Sequence, residues 1–250
     1  VPADPAAAFR WMKAAAENGF TASYYPLAYK YHSGTGTTAD PAQALFWARK
    51  AAEISNDQQA KAQDLVRQLE SADDERRFQQ GVQDYRTGRQ DEAFATFKEL
   101  AEKGLLAAMF NLSVCYGRGA GTAKDPQAAF FWLTKSAEGG YNLAMHNLAV
   151  AYSTGEGTPK DQQAAFRWMK ASAEAGDTSS YYPLACKYAF GTGTPVDLVQ
   201  ALAWAREAAQ VTDDQQAKAQ GLVKQLESDP RLQQAMQEME ESDRDFDDER

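Results

Sequence analysis

Residues 141–176 read YNLAMHNLAVAYSTGEGTPKDQQAAFRWMKASAEAG and contain a pattern that recurs along the chain. A Tyr is followed by two Gly residues, then by an Asp four residues after the second Gly, and then by a Trp seven residues after the Asp. The markers in this stretch are Tyr152, Gly155, Gly157, Asp161 and Trp168. Equivalent sets begin at Tyr31, Tyr116 and Tyr188. Recurrence at a fixed spacing indicates an array of stacked structural repeats.

The tryptophans give the length of the repeat. The steps from Trp11 to Trp47, from Trp132 to Trp168 and from Trp168 to Trp204 are each 36 residues long. These positions account for all five Trp residues in the sequence. Because periods of this size are typical of helical repeat arrays, each unit is predicted to contain a pair of helices.

One repeat is predicted to fold as helix, loop and helix. Leu143, Leu148 and Tyr152 are predicted to follow one face of the first helix. Gly155 and Gly157 suit a helix end and a tight loop, since glycine adopts backbone conformations that side chains resist. Asp161 stands where the N-cap of the second helix is expected. A single hairpin cannot bury its apolar faces alone, so neighbouring repeats must stack.

The copies AMFNLSVCYGRGAGTAKDPQAAFFWLTKSAEGG and AMHNLAVAYSTGEGTPKDQQAAFRWMKASAEAG resemble the Sel1-like repeat, a relative of the tetratricopeptide repeat. The family pattern places Leu-Gly before the Tyr, then Gly-x-Gly, Asp, Ala, Trp and a closing Lys-Ala-Ala-Glu-x-Gly. The Gly that follows the Leu is replaced here by the small residues Ala28, Ser113, Ala149 and Ala185. The resemblance covers almost all of residues 4–228. It implies an all-α fold, a right-handed α/α superhelix (solenoid) of helix-turn-helix repeats.

A second, longer period divides the chain into two predicted modules. Residues 4–71 match residues 161–228 at 47 of 68 positions, so the duplicated unit is larger than one repeat. Residues 1–74 are interpreted as the C-terminal part of a first Sel1-like module, with a closing helix and a polar break at 71–74. We expect the chain to be a fragment of a longer bacterial repeat protein whose targeting signal lies elsewhere.

The second module is predicted to occupy residues 75–228. It has a tetratricopeptide-like opening unit, three Sel1-like repeats and a closing helix, at residues 75–104, 105–140, 141–176, 177–212 and 214–228. Residues 229–250 are predicted to be an acidic helical tail with an apolar stripe at Leu232, Met236 and Met239.

The net charge of -9 is concentrated at the C-terminal end. Residues 227–250 contain ten acidic residues and three Arg residues, which leaves the remainder of the chain close to neutral. No basic stripe is available to neutralise phosphates, so nucleic acid is excluded as an expected partner. No apolar run reaches the length of a membrane-spanning helix, so direct membrane insertion is not expected.

The sequence offers no catalytic or metal-binding motif. His32 and His146 are the only histidines and lie in different modules. No HExxH, CxxC, Gly-x-Ser-x-Gly or Ser-x-x-Lys pattern is present, so no catalytic residue, metal site or cofactor is expected. Cys115 and Cys186 lie two repeats apart and are interpreted as buried small apolar residues rather than a disulfide.

Comparison of the two modules locates a candidate binding face. The repeat markers agree, whereas on the first helix Tyr29, His32 and Ser33 are replaced by Cys186, Ala189 and Phe190. These positions share one helical face. By resemblance, this face lines the concave groove of the superhelix. The predicted partner-binding residues are Tyr25, His32, Phe110, Arg118, His146, Val150, Tyr182 and Phe190, with Val114 and Ala189 at equivalent positions.

The resemblance implies a non-enzymatic scaffold that binds a peptide or partner protein in the groove and is itself monomeric. One alternative is an architectural spacer within a larger multidomain protein. Another is an envelope regulator that binds glycan or peptidoglycan through groove tyrosines. By analogy with the family, the expected location is the bacterial periplasm or cell surface. Drift on an exposed face, and packing of Tyr25 and Tyr182 between repeats, would explain the groove residues without binding.

Overall fold

A computed structural model describes residues 4–212, 214–234 and 237. The prediction of an all-α fold is confirmed, since that part of the chain is helical and contains no strand. The α-helices are α1 (Pro5–Glu17), α2 (Tyr24–Ser33), α3 (Pro41–Ala52), α4 (Gln59–Arg86), α5 (Gln90–Glu102), α6 (Leu106–Arg118), α7 (Pro126–Glu138), α8 (Asn142–Thr154), α9 (Gln162–Glu174), α10 (Tyr181–Phe190), α11 (Leu198–Gln210) and α12 (Gln216–Glu227). Short 3-10 turns, Thr21–Ser23 and Thr178–Ser180, lead into α2 and α10.

The helices form two compact units, residues 1–80 and residues 81–250. In each unit consecutive helices pack against each other and bury a core of Leu, Ala and aromatic side chains. The predicted module boundary at residues 74 and 75 stays a prediction.

The predicted break at residues 71–74 is wrong, because α4 runs through it as one helix. The stretch Ser71-Ala-Asp-Asp contains no Gly or Pro, so nothing in its backbone forces the helix to end. Asp73 pairs with Arg76 one turn later and so supports the helix there. Polarity alone was therefore an insufficient signal for a helix end.

The predicted helix ends are confirmed. The side chain of Asp161 accepts a hydrogen bond from the backbone N–H of Ala164 at 2.9 Å, as expected for an N-cap. The aspartates at the equivalent positions, Asp40, Asp125 and Asp197, make the same bond. Gly155 ends α8 in the left-handed conformation, with φ of 80°, which glycine adopts without steric cost.

The second glycine of each Gly-x-Gly pair joins two repeats, a role that the sequence did not reveal. Gly157 lies against the backbone of Pro126, at the start of the second helix of the preceding repeat. A Cβ atom on Gly157 would stand 2.1 Å from the carbonyl oxygen of Pro126. Gly36, Gly121 and Gly193 make the same contact with the residue 31 positions earlier. Only glycine permits this backbone-to-backbone approach.

A recurring aromatic pair also joins neighbouring repeats. The ring of Tyr152 meets that of Phe130 edge to face, with centroids 5.3 Å apart. Three further pairs have the same geometry, namely Phe9–Tyr31, Phe94–Tyr116 and Phe166–Tyr188. Such edge-to-face pairs add to the energy of apolar burial. The Tyr marker of each repeat is therefore part of the contact with the preceding repeat.

The tryptophans contribute unequally to the core. Trp47 is buried and packs against Tyr24, in the first helix of its own repeat. Trp168 is half-buried and packs against two core clusters, one on each side of α9. Trp11, on α1, is 78% exposed.

The predicted acidic tail is described only at its start. Residues 230–234 are helical, and Leu232 is buried in the core of the second unit. Met236, Met239 and residues 238–250 lie outside the described residues.

Candidate binding face of the first helices

The predicted binding residues are placed by the first helix of each repeat, which is α2 in the first unit and α6, α8 and α10 in the second. On α6, Phe110, Val114 and Arg118 follow each other at intervals of four residues, so they share one helical face. The small residues Ala108 and Ser113 lie on the buried side. This division leaves one face of each first helix for contacts outside the repeat core.

In the second unit this face contains a cavity of about 240 Å³ between α6 and α8. The predicted residues Phe110, Arg118 and Val150 line it together with Val114. The start of α7 completes the wall with the residues Pro126, Ala129, Phe130 and Leu133. Apolar side chains therefore form most of the cavity wall, as is common in binding sites.

Two charged side chains stand at this cavity. Arg118 ends α6 and Glu156 lies in the loop after α8, and both are exposed. Arg118 Nη1 donates to the hydroxyl oxygen of Tyr85 at 3.5 Å. Neither Arg118 nor Glu156 forms an ion pair among the described residues. A cation and an anion are thus both present beside an apolar wall.

The equivalent space between α8 and α10 is occupied by the chain itself. Lys187 takes the position of Ala151, 36 residues later, and its side chain is buried. Lys187 Nζ donates to Ser153 Oγ at 3.4 Å and to Gln162 Oε1 at 3.5 Å. Ser153 and Gln162 replace Gly117 and Pro126, two residues that line the cavity. Burial lowers the pKa of Lys187.

His146, another predicted binding residue, belongs to a buried polar cluster. Its Nδ1 lies 2.7 Å from Ser180 Oγ and 3.8 Å from Asp177 Oδ2. The Asp177 carboxylate also accepts from the hydroxyls of Ser172 at 2.9 Å and Ser179 at 2.8 Å. Ser180 Oγ in turn donates to Ser172 Oγ at 2.9 Å. The cluster ties α8, α9 and the turn before α10 together.

This Ser, His and Asp cluster lacks the arrangement of a catalytic triad. Ser180 and Asp177 approach the same nitrogen of His146, whereas a triad places them on different ring nitrogens. Ser180 is fully buried, so no substrate reaches its hydroxyl. Burial lowers the pKa of His146, and the nearby carboxylate of Asp177 acts in the opposite direction. The cluster is a polar joint between repeats.

In the first unit, Tyr25 lines a cavity of about 530 Å³ at the surface of α2 and the start of α4. Tyr29, Lys30 and Lys61 line the same cavity. His32 lies one turn further along α2, with its ring 6.3 Å from that of Tyr29. The structure therefore places Tyr25 and His32 on one aromatic row, but only Tyr25 lines the cavity.

The remaining predicted residues lie on α10 and are not brought together. Tyr182 shares a hydrogen bond with Cys186, and this bond, followed by burial, raises the pKa of Tyr182. Phe190 is 64% exposed at the end of the helix, whereas Ala189 is buried. Cys115 is buried and Cys186 is partly buried, and both are free cysteines. Whether any of the predicted residues bind a partner stays a prediction.

The described residues contain neither a metal-binding group nor a membrane-spanning helix. Within the part of the chain that the structure describes, no group of His, Cys, Asp and Glu side chains is arranged to hold a metal ion. Over the same residues, every helix is too short or too polar to span a bilayer.

Sequence reasoning missed both Lys187 and the Asp177 cluster. The signal was present in the comparison of the modules, since Ala15, Phe20 and Ala22 correspond to Ser172, Asp177 and Ser179. Three changes to polar residues within eight positions mark a place where polar groups meet. Lys187 gave no such signal, because Lys30 occupies the equivalent position in the first module.

Comparisons with known proteins support the repeat assignment. The profile of the Sel1 repeat matches residues 1–20, 21–56, 106–141, 142–177 and 178–211. A sequence comparison with curated proteins gave no match. Solved structures that are similar to this chain include two of bacterial repeat proteins. They are a protective antigen with an SLR fold from uropathogenic Escherichia coli strains and a Sel1 repeat protein from Oxalobacter formigenes.

The Escherichia coli protein is 25% identical with a TM-score of 0.57 over 86% of this chain, which spans 50% of that protein's length. The Oxalobacter formigenes protein is 26% identical with a TM-score of 0.56, over 87% of this chain and 84% of that one. These similarities confirm the predicted solenoid of helical repeats. Since the profile covers more than half of the residues, the chain belongs to the Sel1 repeat family.

Proposed function

We propose that this chain is a non-enzymatic scaffold, monomeric by itself, that binds a peptide or partner protein on the face of its first helices. Sel1 repeats generally act as protein–protein interaction modules. The observation that carries the proposal is the cavity lined by Phe110, Val114, Arg118 and Val150, since these residues occupy the face selected from sequence. Aromatic and Arg side chains are frequent among residues that dominate binding energies.

Site-specific photo-crosslinking tests the proposal. A photoreactive amino acid is placed at Val114 or Tyr182 on the first-helix face, and at Lys50 or Glu207 on exposed positions of the second helices. The protein is incubated with native extract, and each captured species is then purified and tested for direct binding. We expect one protein to be captured from first-helix positions only. Capture confined to Lys50 or Glu207 would overturn the proposed face.

The same experiment separates the proposal from a spacer role. A spacer needs the length of the array but no binding face, so neither set of positions would capture a specific partner. Shortening the array by one 36-residue repeat would then impair the parent protein, whereas substitutions of Phe110 and Val150 would not.

We also propose that the chain acts in the bacterial periplasm or on the cell surface. The support is its similarity to a protein described as a protective antigen of uropathogenic Escherichia coli strains. Protease treatment of intact cells and of spheroplasts tests this location. Protection of the chain in spheroplasts, with degradation only after lysis, would place it in the cytoplasm instead.

A further inference from the structure

In the second unit, the space between α8 and α10 contains a side chain of the protein, whereas the equivalent space between α6 and α8 is open. Between α8 and α10 the space holds the side chain of Lys187, and its ammonium group finds acceptors on Ser153 and Gln162. Between α6 and α8 the same three positions are Ala151, Gly117 and Pro126, and the cavity remains open. The fold therefore accommodates one long side chain at this place, and here the chain supplies none.

Most of the side chains that line the open cavity are apolar, although Ser113 and Asn147 also line it. Gly117 and Pro126 offer no side-chain acceptor at the two positions where Ser153 and Gln162 accept from Lys187. An apolar ligand side chain therefore fits this cavity best, since a buried ammonium needs hydrogen-bond acceptors around it. Phe110, Val150 and Leu133 provide the matching apolar surface.

Charged groups at the cavity restrict the residues beside that apolar side chain. Arg118 presents a guanidinium, which binds carboxylates through two parallel hydrogen bonds. Glu156 presents a carboxylate, which disfavours a second acid and favours a base. Because neither side chain is engaged in an ion pair among the described residues, both are available to a ligand.

Resting on the proposed function, we infer that this cavity recognises a peptide segment with one large apolar side chain flanked by an acidic and a basic residue. The apolar side chain enters the space between α6 and α8. The acidic neighbour pairs with Arg118 and the basic neighbour with Glu156. The site is thus expected to bind a short peptide motif with both an acidic and a basic residue, and not a long uncharged apolar helix.

Selection from a displayed library of random dodecapeptides, with the full chain immobilised, tests the inference. We expect the retained peptides to share an apolar residue with an acid on one side and a base on the other. Individual retained peptides are then synthesised with a fluorophore, and their affinities are measured by anisotropy on the wild-type chain and on variants.

The variants separate the cavity from the charges. Ala151→Met fills the cavity with a side chain of a length that Lys187 shows to fit, and we expect the affinity to fall about tenfold or more. Arg118→Glu should weaken binding about tenfold and shift the selected motif away from acids. Ala203→Met, at an exposed position of α11, is the matched control and should leave the affinity unchanged.

Two results would overturn the inference, and they have different meanings. Peptides that bind Ala151→Met and Arg118→Glu as tightly as the wild type would show that the cavity is not the site, while peptide binding itself stands. A library from which the wild-type chain retains nothing would overturn the inference, while the proposed function would still be decided by the crosslinking experiment.

Discussion

Two contacts between neighbouring repeats can be compared directly. The first joint lies between repeats 105–140 and 141–176, and the second joint lies between repeats 141–176 and 177–212. Equivalent positions make an aromatic contact in the first joint and polar contacts in the second. In the first joint Phe110 packs against Tyr141, with ring centroids 5.6 Å apart. In the second, 36 residues later, His146 and Asp177 occupy those positions within a hydrogen-bonded cluster. The backbone contact of the second glycine is the same in both. One scaffold therefore tolerates an aromatic or a polar contact between its units.

The two joints also differ in whether they leave groups available to a binding partner. The first joint keeps an open cavity beside Arg118 and Glu156, which form no ion pair among the described residues. The second joint places Lys187 in the equivalent space, and its buried polar groups bond to one another. A satisfied buried network holds a unique arrangement, because any displacement leaves a polar group unpaired. We infer that the second joint serves stability and the first serves recognition.

The largest expected effect comes from removing the glycine contact, which both joints contain. Gly157→Ala places a Cβ atom against the carbonyl oxygen of Pro126 at a positive φ, so we expect the free energy of unfolding to fall by about 3 kcal/mol or more. Gly176→Ala is the matched control, since its φ is also positive but its surroundings are open. That variant should lose only about 1 kcal/mol. Denaturant melts of the two variants giving equal losses would contradict the role assigned to the backbone contact.

The next test breaks the second joint alone. Asp177→Ala removes the acceptor for the hydroxyls of Ser172 and Ser179, so we expect a loss of about 2 kcal/mol in denaturant melts. The double variant Ser172→Ala with Asp177→Phe restores the residues of the first module, Ala15 and Phe20, and should recover part of that loss. No recovery would mean that the polar cluster specifies the joint and cannot be replaced by apolar packing.

Replacement of the buried Lys187 is expected to have a smaller effect on stability. Lys187→Met keeps an apolar stem in the space and removes an ammonium group that donates to the neutral side chains of Ser153 and Gln162. Because burial disfavours the charged form, we expect the stability at neutral pH to stay equal or rise by up to about 1 kcal/mol. A clear loss of stability in thermal melts would show that the hydrogen bonds to Ser153 and Gln162 outweigh the cost of burial.

The smallest expected effect is a pH dependence confined to the second joint. Burial lowers the pKa of His146 in the folded chain below its unfolded value. The unfolded chain then takes up a proton first as the pH falls, so the contribution of His146 is full above the unfolded pKa and is lost as the pH falls through the folded pKa. The stability of the wild type relative to His146→Phe should therefore decrease from pH 7 to pH 5. A constant difference would contradict the shift.

Much of the fold could be predicted because repeated markers each carry a local physical reason. Asp161 caps a helix and Gly155 ends one, and both roles depend on a few neighbouring residues only. The break at 71–74 failed because it rested on polarity without a helix-terminating residue. Contacts between repeats, such as Gly157 against Pro126, join residues far apart in sequence, and periodicity identifies such residues without showing what they touch.

The candidate site was only partly predictable for the same reason. The shared face of the first helices explains why Phe110, Arg118 and Val150 line one cavity. At the equivalent positions, His146 contacts Ser180 in the turn before α10, and Tyr182 forms a hydrogen bond with Cys186 of its own helix. Which face positions stay open depends on what a neighbour 36 residues away inserts, as the pair Ala151 and Lys187 shows.

The glycine contact has a consequence for how such a chain can change over time. Because it joins two backbones, it does not depend on which side chains the neighbouring repeats present. A repeat can be copied, and its exposed face rewritten, while the attachment to the previous copy stays intact. Substitutions on the exposed face can therefore change what a repeat binds, while the glycine contact continues to hold the repeat in the fold.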